Sequence, residues 1–578
     1  MTLARRHPTN PGYIGRDFAH QQLHGPGGKI NWRKAGLSIG LPLAGIAVGC
    51  ALIFHSHEPK TEALRILPLS SHELLLSRTR ADFEAVLNAP KTVEPAALLK
   101  EIGNARAALT NFNGLKKGEQ AIAIAQLGKD NSLANRRIII TERPEPGDAK
   151  TSKDRGFSVR RAYGQPKEVP LGVQIPREDL DPSGSYSQLK ISRRGAPDET
   201  WVALAVKLFV VTSTHGSRFF IVTPYCEQLA SGDMAKTGLA YLSEVDTLMR
   251  GAILDYSGNA RACGFLGKVP NNMNVLISLI EQIGPENLGN GTSMRRAISR
   301  LLYHVATNGA ESKLLTVSSA GARGMVQVMP KTRKDLFKNY GIQKVFDRWA
   351  LASNYRPRWS GEKTSSGDIY SSLMMANFHH IDVLGSLETI IGTSSSEMQS
   401  KISEVNARIS ELARKKQTKE TKRLLHSNKI LLNTLSTRLE LITLLEEHGM
   451  RDPLHALYSS ELQTTCALAA GYNGGAQAVV ERMLEALQKD PASPWHETSF
   501  QRATEDMEEL MQNIRENVGY VVKATVASNS LQQNMPDSQH IPNLHPFSKD
   551  LPPVQMSMAL KEKHAPRNLP VHAHRKRR

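Results

Sequence analysis

The sequence of 578 residues contains only four cysteines, a scarcity that excludes a scaffold held together by disulfide bonds. Cys226 and Cys263 can form one bond if their part of the chain lies outside the cytoplasm, and the sequence alone leaves that question open. Cys466 lies in an apolar run, which predicts a buried free thiol.

Acidic residues are also in short supply. The chain has 55 Asp and Glu against 73 Lys and Arg, which gives a formal charge of +18. Such an excess attracts anionic partners, for example a nucleic acid, an anionic membrane surface or a cell-wall polymer. The length exceeds the ~250–300 residues at which a single hydrophobic core stops growing, so several domains are expected.

Long hydrophobic runs are scarce as well, and the one that stands out covers residues 35–54. Its 20 residues carry no charge, and a helix of that length can cross a bilayer core of ~30 Å. Residues 1–34 are basic, with Asp17 as their sole acid, which predicts a cytoplasmic N-terminus. We therefore predict an uncleaved single-pass anchor. The alternatives are a lipoprotein modified at Cys50, whose surroundings resemble a cleavage box, and a buried soluble helix.

The pattern of the chain changes several times after this run. Ala-, Leu- and Glu-rich segments predict a helical stalk, and short β-branched runs separated by Gly, Pro and Asp predict a small β-rich domain. Helical patterns then dominate, and two apolar stripes at coiled-coil spacing predict an inserted helical hairpin. The basic, Pro- and His-rich end is expected to be disordered. The predicted fold class is mostly α. The segments are 55–128 (stalk), 129–225 (β-rich), 226–396 with 448–528 (helical domain), 397–447 (hairpin) and 529–578 (tail).

One stretch combines a helix end, a carboxylate and a loop of small residues. Apolar residues at helical spacing lead into it, and Gly309 marks where that helix is expected to end. Glu311 follows, and then a loop rich in Gly and Ala that ends at Gln327. A carboxyl group shielded from water is easier to keep protonated, which a general acid near neutral pH requires. The alternative is a surface glutamate beside an ordinary glycine-rich turn.

This stretch resembles the signature of lytic transglycosylases of the soluble, goose-lysozyme-like type. That family reads E-S, a spacer, S-x-x-G-A-x-G-L-M-Q and then P-x-T. Here the spacer is about two residues shorter than usual, and Met325-Val326 replaces Leu-Met, a swap that nearly conserves side-chain volume. The matching residues are Glu311-Ser312, then Ser318-Ser319-Ala320-Gly321-Ala322-Arg323-Gly324-Met325-Val326-Gln327, then Pro330 and Thr332.

Two further motifs follow in the order of the same family. Tyr472 and Asn473 lie in a segment that resembles A-x-Y-N-x-G, although alone it is an ordinary turn or helix cap. Tyr520 lies in a segment similar to E-T-x-x-Y-V, with Asn517 in place of the Thr. An aromatic ring can pack on a sugar face, and an amide can exchange hydrogen bonds with N-acetyl and hydroxyl groups. No family resemblance is found for the region before residue 226.

The resemblance implies a lysozyme-like helical domain that cleaves bacterial peptidoglycan between N-acetylmuramic acid and N-acetylglucosamine, leaving a 1,6-anhydro product. Glu311 would be the catalytic acid and base. The partners implied are glycan strands and the inner membrane, with the catalytic domain in the periplasm. No metal, cofactor or nucleic acid is expected. The residues expected to bind the sugar or shape its cleft are Ser312, Ser318, Met325, Gln327, Tyr472, Asn473 and Tyr520.

Three other interpretations are considered. A lysozyme that hydrolyses the same bond would differ in its product. An inactive wall-binding scaffold of an envelope-spanning secretion or conjugation apparatus would use the anchor, the β-rich domain and the hairpin at 397–447, which could also dock a partner protein. The neighbouring His379 and His380 suggest a metal site only weakly, because adjacent side chains on a helix point in different directions.

Overall fold

The computed structural model describes most residues between 71 and 505. The described ranges are 71–142, 155–163, 171–175, 189–312, 324–355, 368–450 and 457–505, with short gaps inside them, residue 452, and a few residues between 523 and 531. Within them, no helix is long and apolar enough to cross a membrane. The predictions that lie outside the described residues are the anchor at 35–54, Cys50, the basic segments at both ends, Ser318 and Tyr520.

The described elements follow in the order helix, sheet, helix, and the prediction of a mostly helical protein with a small β-rich part is confirmed. The first two helices are α1 (Ser71–Leu87) and α2 (Pro95–Thr110). The strands are β1 (Glu119–Leu127), β2 (Leu133–Glu142), β3 (Arg155–Tyr163), β4 (Leu171–Ile175), β5 (Lys190–Arg193), β6 (Ala196–Thr212) and β7 (Gly216–Val222). The later helices are α3 (Gly232–Tyr256), α4 (Ala260–Leu266), α5 (Met273–Gln282), α6 (Gly291–Asn308), α7 (Pro330–Tyr340), α8 (Ile342–Ala352), α9 (Ile369–Gly392), α10 (Ser395–Arg414), α11 (Lys419–Glu447), α12 (Glu461–Lys489) and α13 (Trp495–Glu505).

The helical core is arranged around α3, which packs against α6 and α9. α9 is buried on nearly its whole circumference, because apolar residues recur on every side of it rather than along one stripe. The backbones of α3 and α6 approach closely at Gly238, where a Cβ atom would lie 2.0 Å from the carbonyl oxygen of Leu302. Only a glycine permits this crossing, and the crossing fixes the position of α6.

The strands form a small antiparallel barrel. β1 to β6 pair in sequence order, β1 also pairs with β6, and β7 extends the far half of β6. On β1 the residues alternate in size: Ala121 and Ala123 face α2, whereas Ile122 and Ile124 face the interior among other strand residues. Burial on both faces explains why β1 has no polar side.

The boundary predicted at residue 128 is wrong, because β1 already belongs to the sheet. Its alanines favour a helix, but the alternation of Ala with Ile has the period of a strand. The prediction of a separate stalk is wrong as well. α1 packs on α3, α6 and α13, and α2 packs on the barrel. The described part of 55–128 therefore connects the barrel to the helical core.

The predicted insertion consists of α10 and α11, which run antiparallel. Their apolar seam contains Met398 and Val405 of α10 and Leu435 and Ile442 of α11. The last turns of α11 contribute to the main core, for example through Leu441. The hairpin therefore projects from the helical domain but is fixed to it at its base.

The cysteines in the described residues form no disulfide bond. Cys226 and Cys263 are both free, so the pairing that the sequence left open is absent here. Cys466 is a fully buried free thiol, as predicted. Burial raises the pKa of the Cys466 thiol to about 12, which keeps it protonated and unreactive near neutral pH.

Candidate active site

The end of α6 brings Glu311 to the edge of the helical core. α6 buries an apolar face that includes Ile298, Leu302 and Val305. It ends at Asn308, as predicted directly before Gly309, whose φ of 53° lies in the left-handed region that suits glycine. A 3-10 turn then carries Glu311, whose side chain is 20% exposed. A carboxylate is thus held on a rigid support with part of its surface open to a substrate.

Glu311 has a cationic partner that comes from the region before the sheet. Nη2 of Arg106, on α2, donates to Oε2 of Glu311 at 2.6 Å, and the arginine side chain is only 9% exposed. Charge-assisted hydrogen bonds are stronger where water competes less. None of the sequence motifs predicted Arg106, which is 205 positions away from Glu311. The sequence contains one indication that Arg106 is buried, because it lies between Ile102 and Leu109 on the buried stripe of α2.

Asn308 connects the end of α6 to the barrel. Its Oδ1 accepts from the backbone N–H of Thr223 at 2.7 Å, and its Nδ2 donates to the carbonyl of Thr223 at 3.1 Å. Oδ1 also accepts from Nη1 of Arg106 at 3.3 Å, and Nδ2 reaches the carbonyl of His304 at 3.2 Å. Asn308 is itself buried. One amide, that of Asn308, therefore holds together the helix end, Arg106 and the chain after β7.

Two residues expected at the sugar are buried instead. Ser312 is fully buried, and its Oγ donates to the carbonyl of His304 at 3.0 Å. Met325 is fully buried in the main core. Neither side chain can touch a sugar in this arrangement, so the prediction of direct contact is wrong for both. They anchor the chain on either side of residues 313–323, which lie outside the described part.

The loop after this gap contacts the second motif. Gln327 has a positive φ of 50° and is half-buried, and its Nε2 donates to the carbonyl of Gly324 at 2.6 Å. The hydroxyl of Tyr472, on α12, donates to the carbonyl of Val326 at 2.6 Å. Residues 146 positions apart in the chain are thus in contact. The structure brings the two described motifs together around one loop.

Tyr472 supports this loop rather than offering its ring to a sugar. Tyr472 is 7% exposed, and its ring packs against those of His379 and His380, with centroid distances of 5.1 and 5.6 Å. Nε2 of His379 lies 2.9 Å from the carbonyl oxygen of Tyr472. The next residue, Asn473, is exposed, and α12 is kinked shortly after it at Gly475, where φ is 68°. Of this pair, only Asn473 is placed to meet a ligand.

Tyr355 lies within electrostatic reach of Glu311 and contacts a second carboxyl group, that of Asp368. The Tyr355 ring packs on that of Tyr370 at 4.8 Å, and its hydroxyl is 3.5 Å from Oδ2 of Asp368. The pKa of Tyr355 is raised by burial first, then by the charges of Asp368 and Glu311 among other groups. Asp368 caps α9, since its Oδ1 accepts from the N–H of Ser371 at 2.7 Å. Burial raises the pKa of Asp368, and the hydrogen bonds from Ser371 lower it.

No group of three or more His, Cys, Asp or Glu is arranged to hold a metal ion in the part of the chain that the structure describes. His379 and His380 are buried, and burial lowers the pKa of each ring. Nε2 of His380 lies 3.1 Å from Oδ1 of Asn274, so the two histidines have separate partners in the core.

No protein-family profile, curated protein or solved structure matches the chain. The geometry of the site itself therefore carries the functional interpretation.

Proposed function

We propose that the protein is a lytic transglycosylase that cleaves peptidoglycan, with a lysozyme-like helical domain and Glu311 as its catalytic acid and base. One observation carries the proposal. The hydroxyl of Tyr472 donates to the carbonyl of Val326, so the second motif of the resemblance contacts the loop of the first. Two matches that arose by chance would have no reason to meet in the fold.

The inserted hairpin is consistent with this interpretation. α10 leaves the domain directly after α9, and α11 returns to the main core before α12 begins. The hairpin therefore separates the motifs in sequence without separating them in space. An excursion of this kind can bind a partner protein while the site keeps its geometry.

The chemistry proposed for Glu311 needs one carboxyl group with two successive roles. As an acid it protonates the glycosidic oxygen, and as a base it then takes the proton of the muramic 6-hydroxyl, which closes the anhydro ring. The acetamido group of the substrate can stabilise the cation, so no second catalytic carboxylate is required, unlike in most glycosidases. Asp368 contacts Tyr355, but it is buried and caps α9.

The remaining parts of the proposal concern location. An anchor at residues 35–54 with a cytoplasmic N-terminus would place the catalytic domain in the periplasm of a bacterium, beside the wall. The charge of +18 favours attraction to an anionic polymer. The local opening of the wall for an envelope-spanning apparatus is the role that fits an anchored enzyme with a partner-binding hairpin.

An inactive wall-binding scaffold is the second candidate, and the burial of Ser312, Met325 and Tyr472 favours it. These residues support the site but expose little surface to a sugar. A scaffold would bind glycan strands without releasing products.

The deciding experiment is mass spectrometry of the muropeptides that the full-length protein releases from peptidoglycan. Glu311→Gln keeps the size of the side chain but cannot transfer a proton, and we expect a loss of about 100-fold or more in product. Glu227→Gln is the matched control, because Glu227 is exposed and also lies in a 3-10 turn. This control is expected to release as much anhydro product as the wild type.

The products distinguish the alternatives. Anhydro ends that disappear only in Glu311→Gln support the proposal. Reducing ends in their place would assign a hydrolysing lysozyme. Equal release by wild type and Glu311→Gln, or none by either, would remove the catalytic role and favour the scaffold.

A further inference from the structure

The contact between Arg106 and Glu311 joins two parts of the molecule that the sequence separates. Arg106 is on α2, and α2 packs on the outside of the barrel through residues such as Leu98 and Ile102. The same apolar cluster includes Tyr303 and Ala306 of α6. The helix that carries Glu311 and the helix that carries Arg106 therefore share one core.

Arg106 has little freedom to leave Glu311. Its side chain is 9% exposed, and its second terminal nitrogen, Nη1, lies 3.3 Å from Oδ1 of Asn308. Asn308 is itself fixed by hydrogen bonds to both backbone groups of Thr223. An arginine presents its donors in a planar fork, so a guanidinium held at Asn308 is also held at the carboxylate.

Resting on the proposed function, we propose that Arg106 is a positioning residue of the active site. Because Nη2 of Arg106 donates to Oε2 of Glu311, the carboxyl group cannot rotate freely, and its orientation toward a glycosidic oxygen is fixed. A protonated carboxyl group keeps an oxygen that accepts from Arg106. Glu311 can therefore give a proton to the glycosidic oxygen and recover one from the 6-hydroxyl without losing its support.

The consequence is that the region before residue 226 belongs to the catalytic unit. The barrel and α2 place Arg106, and the helical core places Glu311. This region would then be required for the chemistry and not only for carrying the enzyme away from a membrane.

The test compares the kinetics of Arg106→Ala with those of the wild type on soluble glycan strands, using full-length protein. Because Arg106 contacts Glu311 rather than the substrate, kcat is expected to fall about tenfold or more with KM nearly unchanged. Millimolar guanidinium should restore part of kcat by entering the vacated space. Arg136→Ala is the matched control: Arg136 is 58% exposed and pairs with Glu101, also on α2. It should leave kcat unchanged and respond to guanidinium no more than wild type.

A loss of kcat in Arg106→Ala that guanidinium does not restore, or an unchanged kcat, would overturn the proposal. A second measurement does not depend on activity. Thermal unfolding of Arg106→Met, Glu311→Gln and the double variant should be non-additive, because one change removes the donor and the other removes the negative charge of the same pair. Shifts in thermal stability that add up in the double variant would overturn the pairing of Arg106 with Glu311. If the wild type releases no product but the shifts are non-additive, the proposed function fails while Arg106 still positions Glu311.

Discussion

Glu–Arg ion pairs occur both at the end of α6 and in the hairpin of α10 and α11. The pair at the end of α6 is largely shielded from water, whereas the pair in the hairpin is exposed. In the hairpin, Glu404 pairs with Arg408 one turn away, with exposed fractions of 62% and 59%. At the end of α6, Glu311 and Arg106 are 20% and 9% exposed. Exposed pairs contribute about 0–1 kcal/mol, whereas removing one partner of a buried pair costs about 3–5 kcal/mol.

The difference shows what each region depends on. These ion pairs of the hairpin join residues four positions apart in the chain, so the local sequence suffices to form them. The α6 end depends on α2, on the chain after β7 and on a tight helix crossing. Substitutions in any of these distant parts should therefore alter the position of Glu311, whereas substitutions in the hairpin should have only local effects.

The largest effect is expected where α3 crosses α6. Gly238→Ala would place a Cβ atom 2.0 Å from the carbonyl oxygen of Leu302, so the helices must separate, at a cost of about 3 kcal/mol. Gly251→Ala in the same helix meets no atom within 4 Å and should stabilise by about 0.5–1 kcal/mol. Urea unfolding followed by circular dichroism measures both. Equal stability of the two variants would contradict the tight crossing.

The second effect concerns the amide that joins α6 to the barrel. Asn308→Ala leaves the backbone groups of Thr223 without their amide partner, which should lower the free energy of unfolding by about 2–3 kcal/mol. Asn433→Ala in the hairpin is the control, because Asn433 is exposed, and it should change stability by less than about 0.5 kcal/mol. Similar losses of stability in the two variants would show that the amide of Asn308 stabilises the fold no more than an exposed asparagine does.

The third effect is a pH dependence of stability that arises from two histidines buried in the core. Burial lowers the pKa of His379 and His380 below the unfolded value of about 6.5. The unfolded chain then binds more protons below that pH, so their contribution to stability is complete above about pH 6.5 and is lost as the pH falls.

His380→Gln removes one of these groups and keeps an amide that can reach Asn274. Between about pH 7 and pH 5.5, the free energy of unfolding of this variant should fall by about 1 kcal/mol less than that of the wild type. Thermal unfolding across this range measures the slope. Parallel curves for the two proteins would exclude a role for His380.

The smallest effect is expected in the hairpin. Glu404→Gln removes an exposed ion pair with Arg408 and should cost less than about 0.5 kcal/mol. The same urea experiment measures it. A loss comparable to that of Asn308→Ala would mean that the hairpin is tied to the core more tightly than its exposure indicates.

Local patterns in the sequence determined several features. The apolar spacing of α6, the helix end at Gly309, the hairpin with its seam and the buried Cys466 were all predicted from residues that are close together. These features depend on helical periodicity, backbone conformation and hydrophobicity, which act over a few positions.

Tertiary structure decided the rest, because it depends on contacts between distant elements. β1 lies in the sheet despite its alanines, since a small residue is needed where α2 packs on the barrel. Tyr472 is turned inward by a hydrogen bond to a loop 146 positions away. Arg106 meets Glu311 only because a barrel and a helix crossing place their helices side by side. The sequence by itself therefore indicated the carboxylate, and the packing of distant segments supplied its arginine.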